Sequence, residues 1–251
     1  MRLLWRAAAA ALFLCVAQQA SAADIKLLCI PGLKAALEAL LPQFERDSGN
    51  KVVANYEIYP AQKQHIESGD FDVAIFATPQ IDDLNKQGRT VAATTTDIAR
   101  TFIGVAVKSD APKPDISTEE AFKRTLLAAK SITYTKQSQT GVYLTKQLER
   151  IGVADAIKDK LQLQPGGAMT TVAVANGEAE LAIVLVSDIL ATPGADLVGP
   201  LPASLQNYVM QTAALGATAR QPASGEALIK YLGSPAAGAV FSAKGLEPPK
   251  R

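Results

Sequence analysis

From residue 24 onward the chain alternates short apolar runs with amphipathic stretches, the pattern of an α/β fold. DIKLLC (24–29) reads as a strand. Pro31-Gly32 turns the chain, and Leu33, Ala36, Leu37, Leu40, Leu41 and Phe44 then recur at helical spacing across 33–47. Pro42 falls inside that helix, where its missing N–H predicts a kink or a late start. Ser48-Gly49-Asn50 supplies the stop. KVVANYE (51–57) is the next strand, Pro60 opens a short helix ending at Gly69, and DVAIFA (72–77) is a buried strand. Residues 79–87 read as a helix with Gly88 as its stop, FIGVAV (102–107) as a strand, and 109–114 as a loop rich in charge and proline.

Beyond that loop, Ser117 or Thr118 caps a helix reaching 129, with Glu119 and Glu120 placed to complement its dipole. A strand at 131–135 and helices at 140–151 and 153–160 follow. Residues 161–164 lead into the Gly166-Gly167 turn and a helix near 169–175. ELAIVLV (180–186) is almost continuously apolar, as a strand covered on both faces is. A Pro- and Gly-rich passage precedes a strand at 208–217, and helices at 225–232 and 236–243 close the chain. Strand, turn and helix recur as a unit. In open parallel sheets ligands lie beyond the carboxyl ends of the strands, so the turns are where function is expected.

Residues 1–22 break this pattern. Arg2 and Arg6 precede an Ala- and Leu-rich run, and Ala20-Ser21-Ala22 offers the small side chains of a cleavage site, the three parts of a secretory signal. Gln18 and Gln19 keep the run short of the ~20 apolar residues that a membrane span needs. Export to the periplasm through a cleaved signal is therefore expected, with Cys15 leaving in it. The remainder carries 23 Lys and Arg against 24 Asp and Glu. A balance this even makes no electrostatic claim on nucleic acid or on an anionic membrane. Cys29 is then a lone thiol, and stability must come from packing rather than from an internal disulfide. About 230 residues can bury one large core or two lobes.

His65 is the single histidine, which excludes sites built on two imidazoles, the common zinc geometries among them. No metal and no cofactor is expected. The sequence has no Gly-x-Ser-x-Gly elbow, phosphate loop or dinucleotide fingerprint. Cys29 and His65 could form a nucleophilic pair, although a thiol in such a strand is equally a buried apolar group. What the turns do offer is helix starts: Pro31-Gly32-Leu33, Tyr59-Pro60-Ala61, Ser138-Gln139-Thr140-Gly141 and Ala168-Met169-Thr170-Thr171. Oriented N–H groups and the helix dipole bind anions there. Ser138, Thr140 and Thr170 can add hydroxyl donors, or simply cap their own helices.

ALEALLPQFERDSGNKV (36–52), QHIESGDFDVAIFA (64–77), VANGEAELAIVLVSD (174–188) and YLGSPAAGAVFSAKGLE (231–247) resemble the periplasmic molybdate-binding protein family, the solute receptors of ABC importers. The resemblance implies a two-lobed type II periplasmic-binding fold, each lobe a mixed sheet flanked by helices, with two crossing hinge strands and ligand in the cleft. Lobe 1 would hold 23–101 and 217–251, lobe 2 would hold 102–216, and the crossings would lie near 102–107 and 208–217.

The ligand loops carried over from the family fall at Ile30-Pro31-Gly32-Leu33, Tyr59-Pro60-Ala61-Gln62, Gln139-Thr140-Gly141 and Ala168-Met169-Thr170. Leu185 stands where the family has a tyrosine. Three expected oxyanion donors are missing, and proline at two loops removes N–H groups, so a larger, partly apolar organic anion suits these loops better than molybdate. Lys34, Lys63 or Lys136 could reach such a ligand. The expected function is thus a monomeric, non-enzymatic receptor that captures a small anion, oxyanion or organic acid, and meets an ABC permease. A sensor subunit of the same fold and a Cys-dependent secreted enzyme are the alternatives.

Overall fold

The computed structural model describes residues 24–57 and 59–249; the export signal expected at 1–22, with Cys15, lies outside the described residues. The chain begins with β1 (Asp24–Cys29), a one-turn 3-10 helix at Pro31–Leu33, α1 (Lys34–Ser48) and β2 (Lys51–Tyr56). Ala36, Leu37, Leu40, Leu41 and Phe44 form the buried face of α1, and Gly49 ends it in the left-handed conformation (φ 71°). The late start that Pro42 could impose does not occur, since the helix begins at Lys34. Pro42 lies on the exposed side, where water can take the carbonyl it leaves unpaired, and the helix runs through it. A 3-10 turn at Tyr59–Gln62 leads to α2 (Lys63–Ser68), then β3 (Val73–Ala77) and α3 (Thr78–Lys86).

The next element is β4 (Thr96–Lys108), 13 residues where the apolar run alone predicts 102–107. Its first half, TDIAR, is mostly polar and lacks the alternation of a strand, yet Ile98 and Ala99 are buried. There follow α4 (Glu119–Ala128), β5 (Ile132–Tyr134), α5 (Gln139–Arg150), α6 (Ala154–Ile157), β6 (Leu161–Leu163), α7 (Gly167–Ala175) and β7 (Leu181–Leu185). Thr118 and Ser138 cap α4 and α5, accepting from the backbone N–H groups of Ala121 and Gly141. The Pro- and Gly-rich passage holds α8 (Val186–Leu190) and β8 (Ala195–Pro200), which no sequence signal predicts. One is too short for a helical period to show, and the other contains Gly199 and Pro200. β9 (Tyr208–Leu215), α9 (Pro222–Leu232) and α10 (Pro235–Ala243) complete the chain.

The strands form one continuous path, β2-β1-β3-β9-β4-β7-β5-β6, with β8 on the other edge of β4. β1 is parallel to β2 and β3, and β5 is parallel to β6 and β7. β9 and β4 are antiparallel insertions between these two parallel sets. Residues 96–102 of β4 lie opposite β9; at Ile103 the strand changes partner and lies opposite Leu185 of β7. Each half therefore has its own mixed sheet with helices packed on it, and this is the type II periplasmic-binding fold. One core gathers Leu27, Leu37, Ile75, Leu228 and Phe241; the other gathers Ile103, Phe122, Leu144, Ile183 and Leu205.

Two contacts secure the first half. The buried Asp72 carboxylate, just ahead of β3, accepts from the backbone N–H of Lys26 (2.8 Å), Arg220 (2.7 Å) and Gln221 (3.0 Å). It therefore joins β1 to the start of α9, where negative charge also complements the helix dipole. At the crossing, the Arg100 guanidinium lies 5.4 Å from the ring centres of both Phe102 and Tyr208 and pairs with Glu247 at 2.7 Å. Replacing Asp72 by Ala strands three N–H donors in the interior; the expected loss is about 3 kcal/mol of unfolding free energy, measured by urea denaturation. A loss under about 1 kcal/mol would show that water or a neighbouring acceptor replaces the carboxylate.

Candidate functional site

β1, β3, β5 and β7 all end at one place, and the turns that leave them enclose a cleft of about 710 Å³ between the two halves. One side is Ile30, Pro31 and Gly32 after β1, Tyr59, and Ala77 and Gln80 at the start of α3. The other side is Thr135, Gln137, Ser138, Thr140 and Gly141 around the start of α5, Pro165 to Met169 at the start of α7, and Ile183 to Leu185 with Asp188. Val209 and Gln211 of β9 contribute from the crossing strands.

Of the residues expected to bind ligand, Ile30, Pro31, Gly32, Tyr59, Thr140, Gly141, Met169 and Leu185 line this cleft. Ala61 is not among its lining residues and is exposed to solvent, while the Pro60 side chain lies outside what the structure describes. Thr170 is fully buried instead. Its hydroxyl donates to the Gly166 carbonyl and meets the Thr135 hydroxyl at 3.0 Å, which holds the α7 start against β5. Ser138 is likewise occupied, accepting from the Gly141 N–H and donating to the Thr135 carbonyl. Gly141 is required here, because a Cβ would run into that same carbonyl. The three lysines stay away from the cleft lining: Lys34 pairs with Glu38, Lys63 pairs with Glu67, and Lys136 is exposed.

Cys29 is wholly buried in the first core, and its thiol donates to the Ile30 carbonyl at 3.4 Å. Burial raises its pKa far above the ordinary thiol range, so it stays a thiol and cannot act as the nucleophile once considered for it.

The cleft has four polar features: the start of α7, which is one of the helix starts expected from sequence, and Gln211, Gln80 and Asp188, which were not singled out from sequence. α7 begins at Gly166 with no side-chain cap, so the N–H groups of Gly167, Ala168 and Met169 open onto the cavity. Gln211 is 1% exposed, and both ends of its carboxamide lack a hydrogen-bond partner. A glutamine inside the apolar run YVMQTAAL (208–215) was the readable signal for it. Gln80 accepts from the Ala77 N–H at 3.1 Å, which leaves its NH2 group as a donor.

The fourth feature is Asp188, in the first turn of α8. Its carboxylate touches two glycines, one from each half: a Cβ on Gly32 would stand 3.0 Å from Oδ1, and a Cβ on Gly167 would collide with Oδ2. Burial pushes its pKa up from 3.8 to about 6. Tyr59, packed edge-on to Phe76 at 5.0 Å, has its phenol pKa raised by burial and by the charge of Asp83. No cluster of metal-binding side chains occurs among the described residues.

A cleft of this kind, roofed by two α/β halves and floored by paired crossing strands, defines a two-lobed ligand-binding protein. The sequence profile of bacterial extracellular solute-binding proteins matches residues 25–247, and the chain belongs to that family. It is 34% identical over 178 residues to the aconitate isomerase of Pseudomonas sp., covering 70% of this chain and 67% of that protein. It is 28% identical over 245 residues to the molybdate-binding protein ModA of Azotobacter vinelandii, covering 94% and 93%. The substrate binding domain of a putative molybdenum ABC transporter from Clostridium difficile superposes with a TM-score of 0.75 at 19% identity, covering 91% of this chain and all of that one.

Because Asp188 keeps its proton to higher pH in the folded chain than in the unfolded one, folding takes up a proton between pH about 4 and about 6. Its contribution to stability is complete below that window and is lost as pH rises through 6. Asp188→Asn is therefore expected to melt higher than the parent at pH 7 and equally at pH 4. The gain is about 1–2 kcal/mol after allowing for water in the cleft. Thermal denaturation across that pH range reads it, and a variant less stable than the parent at pH 7 would contradict the assignment.

Proposed function

We propose that this chain is a periplasmic receptor that captures a small organic acid between its lobes and presents it to an ABC importer. The make-up of the cleft is the observation that supports this reading. Its volume falls within the roughly 300–1,000 Å³ that organic ligands occupy. Its walls are apolar at Ile30, Pro31, Met169 and Leu185, while its donors are neutral: the open α7 start, Gln211, Gln80 and Tyr59. A dehydrated tetrahedral oxyanion needs a tight cage that meets nearly all of its lone pairs. Pro31 has no N–H to give such a cage, and Leu185 brings no hydroxyl.

An acid with one carboxylate at residues 167–169 and its carbon skeleton against the apolar wall makes use of both features. Closure of the lobes on it would shift an open–closed equilibrium that a permease can recognise. A second reading, isomerisation of an unsaturated acid, is favoured by one specific observation: the relative with 34% identity is an aconitate isomerase.

A thermal-shift screen of molybdate, tungstate and mono-, di- and tricarboxylic acids tests the ligand class. One or more organic acids are expected to raise the melting temperature, since a ligand at 100 times its Kd adds about 2.7 kcal/mol of stability. Gln211→Leu, which keeps the volume and removes the carboxamide, is expected to weaken that acid about tenfold by titration calorimetry. Strong stabilisation by molybdate and tungstate with none from any organic acid would overturn the reading.

A further inference from the structure

We propose that Asp188 is the proton acceptor of this cleft, positioned to shift a double bond in a bound unsaturated di- or tricarboxylic acid. The inference rests on the organic-acid reading above and goes beyond binding. Its first support is geometric. The carboxylate stands between Gly32 and Gly167, at the gap between the lobes, where the absence of side chains on both glycines leaves its oxygens beside the cavity. Its second support is that no charged side chain of the elements packed on it neutralises it; what complements it is backbone, the starts of α7 and of α8 itself. α8 packs against the 3-10 turn 31–33, β4, α7, β7 and β8. The charged residues of those elements are engaged elsewhere or exposed. Asp97 accepts from Thr212, Arg100 pairs with Glu247, Asp196 accepts from Ser109, and Lys108 is exposed. No side chain among the described residues donates a hydrogen bond to the Asp188 carboxylate.

A pKa of about 6 makes this group mostly ionised at neutral pH and a stronger base than an exposed aspartate.

The step balances without a cofactor. An Asp188 oxygen takes a proton from the CH2 group flanked by a carboxylate and the C=C bond. The C–H electron pair spreads over the allyl unit and its carboxylate as a dienolate. The N–H groups of 167–169 and the Gln211 carboxamide, both beside the cavity, can hold that charge. Asp188 then returns the proton to the far carbon of the allyl unit, the double bond moves by one position, and the carboxylate is regenerated. Nothing is oxidised or reduced.

The test incubates the purified protein with cis-aconitate or glutaconate in D2O and follows the CH2 and vinyl signals by proton NMR, with thermal shift as the parallel measure of binding. The parent is expected to exchange the CH2 protons for deuterium, at a rate that rises with pH through about 6. Asp188→Asn keeps the shape and a hydrogen-bonding group but cannot accept the proton. It is expected to retain the thermal shift and lose exchange at least about 100-fold. Binding by the parent without exchange would overturn the proton transfer and leave the receptor reading standing. Exchange by Asp188→Asn at the parent rate would assign the base elsewhere. Absence of a thermal shift with any organic acid would bring down the receptor reading itself, and this inference with it.

Discussion

The structure depends on one strand serving two sheets. β4 is bonded to β9 through Phe102 and to β7 from Ile103 onward, so the two cores share a backbone without sharing a core. Had the polar half of β4 been a loop, the halves would be joined by flexible connections and the cleft would have no fixed floor. The Arg100 guanidinium, 5.4 Å from the ring centres of both Phe102 and Tyr208, holds the two strands together where the partner changes. Cation–π contacts of this kind are worth roughly 0.5–2 kcal/mol each, and here they act where the chain passes between the halves.

Around that joint the architecture converts ordinary α/β rules into a site. Parallel strands deliver their turns to the same edge, helix starts follow the turns, and N–H groups collect in the cleft. The particular chemistry then comes from what the turns lack. Proline at position 31, leucine at 185 and the removal of lysines to the outer surface leave a cavity of neutral donors and apolar walls. Glycine at 32 and 167 leaves room for the Asp188 carboxylate beside the cavity.

Much of this was legible in the sequence, for identifiable reasons. β1, β3, β7 and α1 have strong periods or unbroken apolar runs, and their expected and observed limits differ by a residue or two. The first half of β4, α8 and β8 were not legible, because their conformation comes from neighbours across the sheet rather than from local pattern. The turns lining the cleft could be named from their positions, yet side-chain commitment could not. Thr170 and Ser138 look identical to ligand donors in sequence and are consumed by local hydrogen bonds. Asp188 looks like a helix-start acid, and only its approach to Gly32, more than 150 positions away, gives it another meaning.

The position of Gln211 carries a consequence for how closure is driven. It lies on β9 opposite Ala99 of β4, next to the line about which the lobes would turn, whereas Gly32 and Gly167 belong to opposite lobes. A group beside the axis of a hinge travels little, so it meets the ligand about equally in the open and closed forms. A contact equal in both states adds affinity but leaves the balance between them unmoved. The rim around Asp188, Gly32 and Gly167 has the long lever arm, and only contacts bridging that gap differ between the states. On the proposed reading, the floor would set how tightly an acid is held, and the rim would set whether holding it closes the lobes.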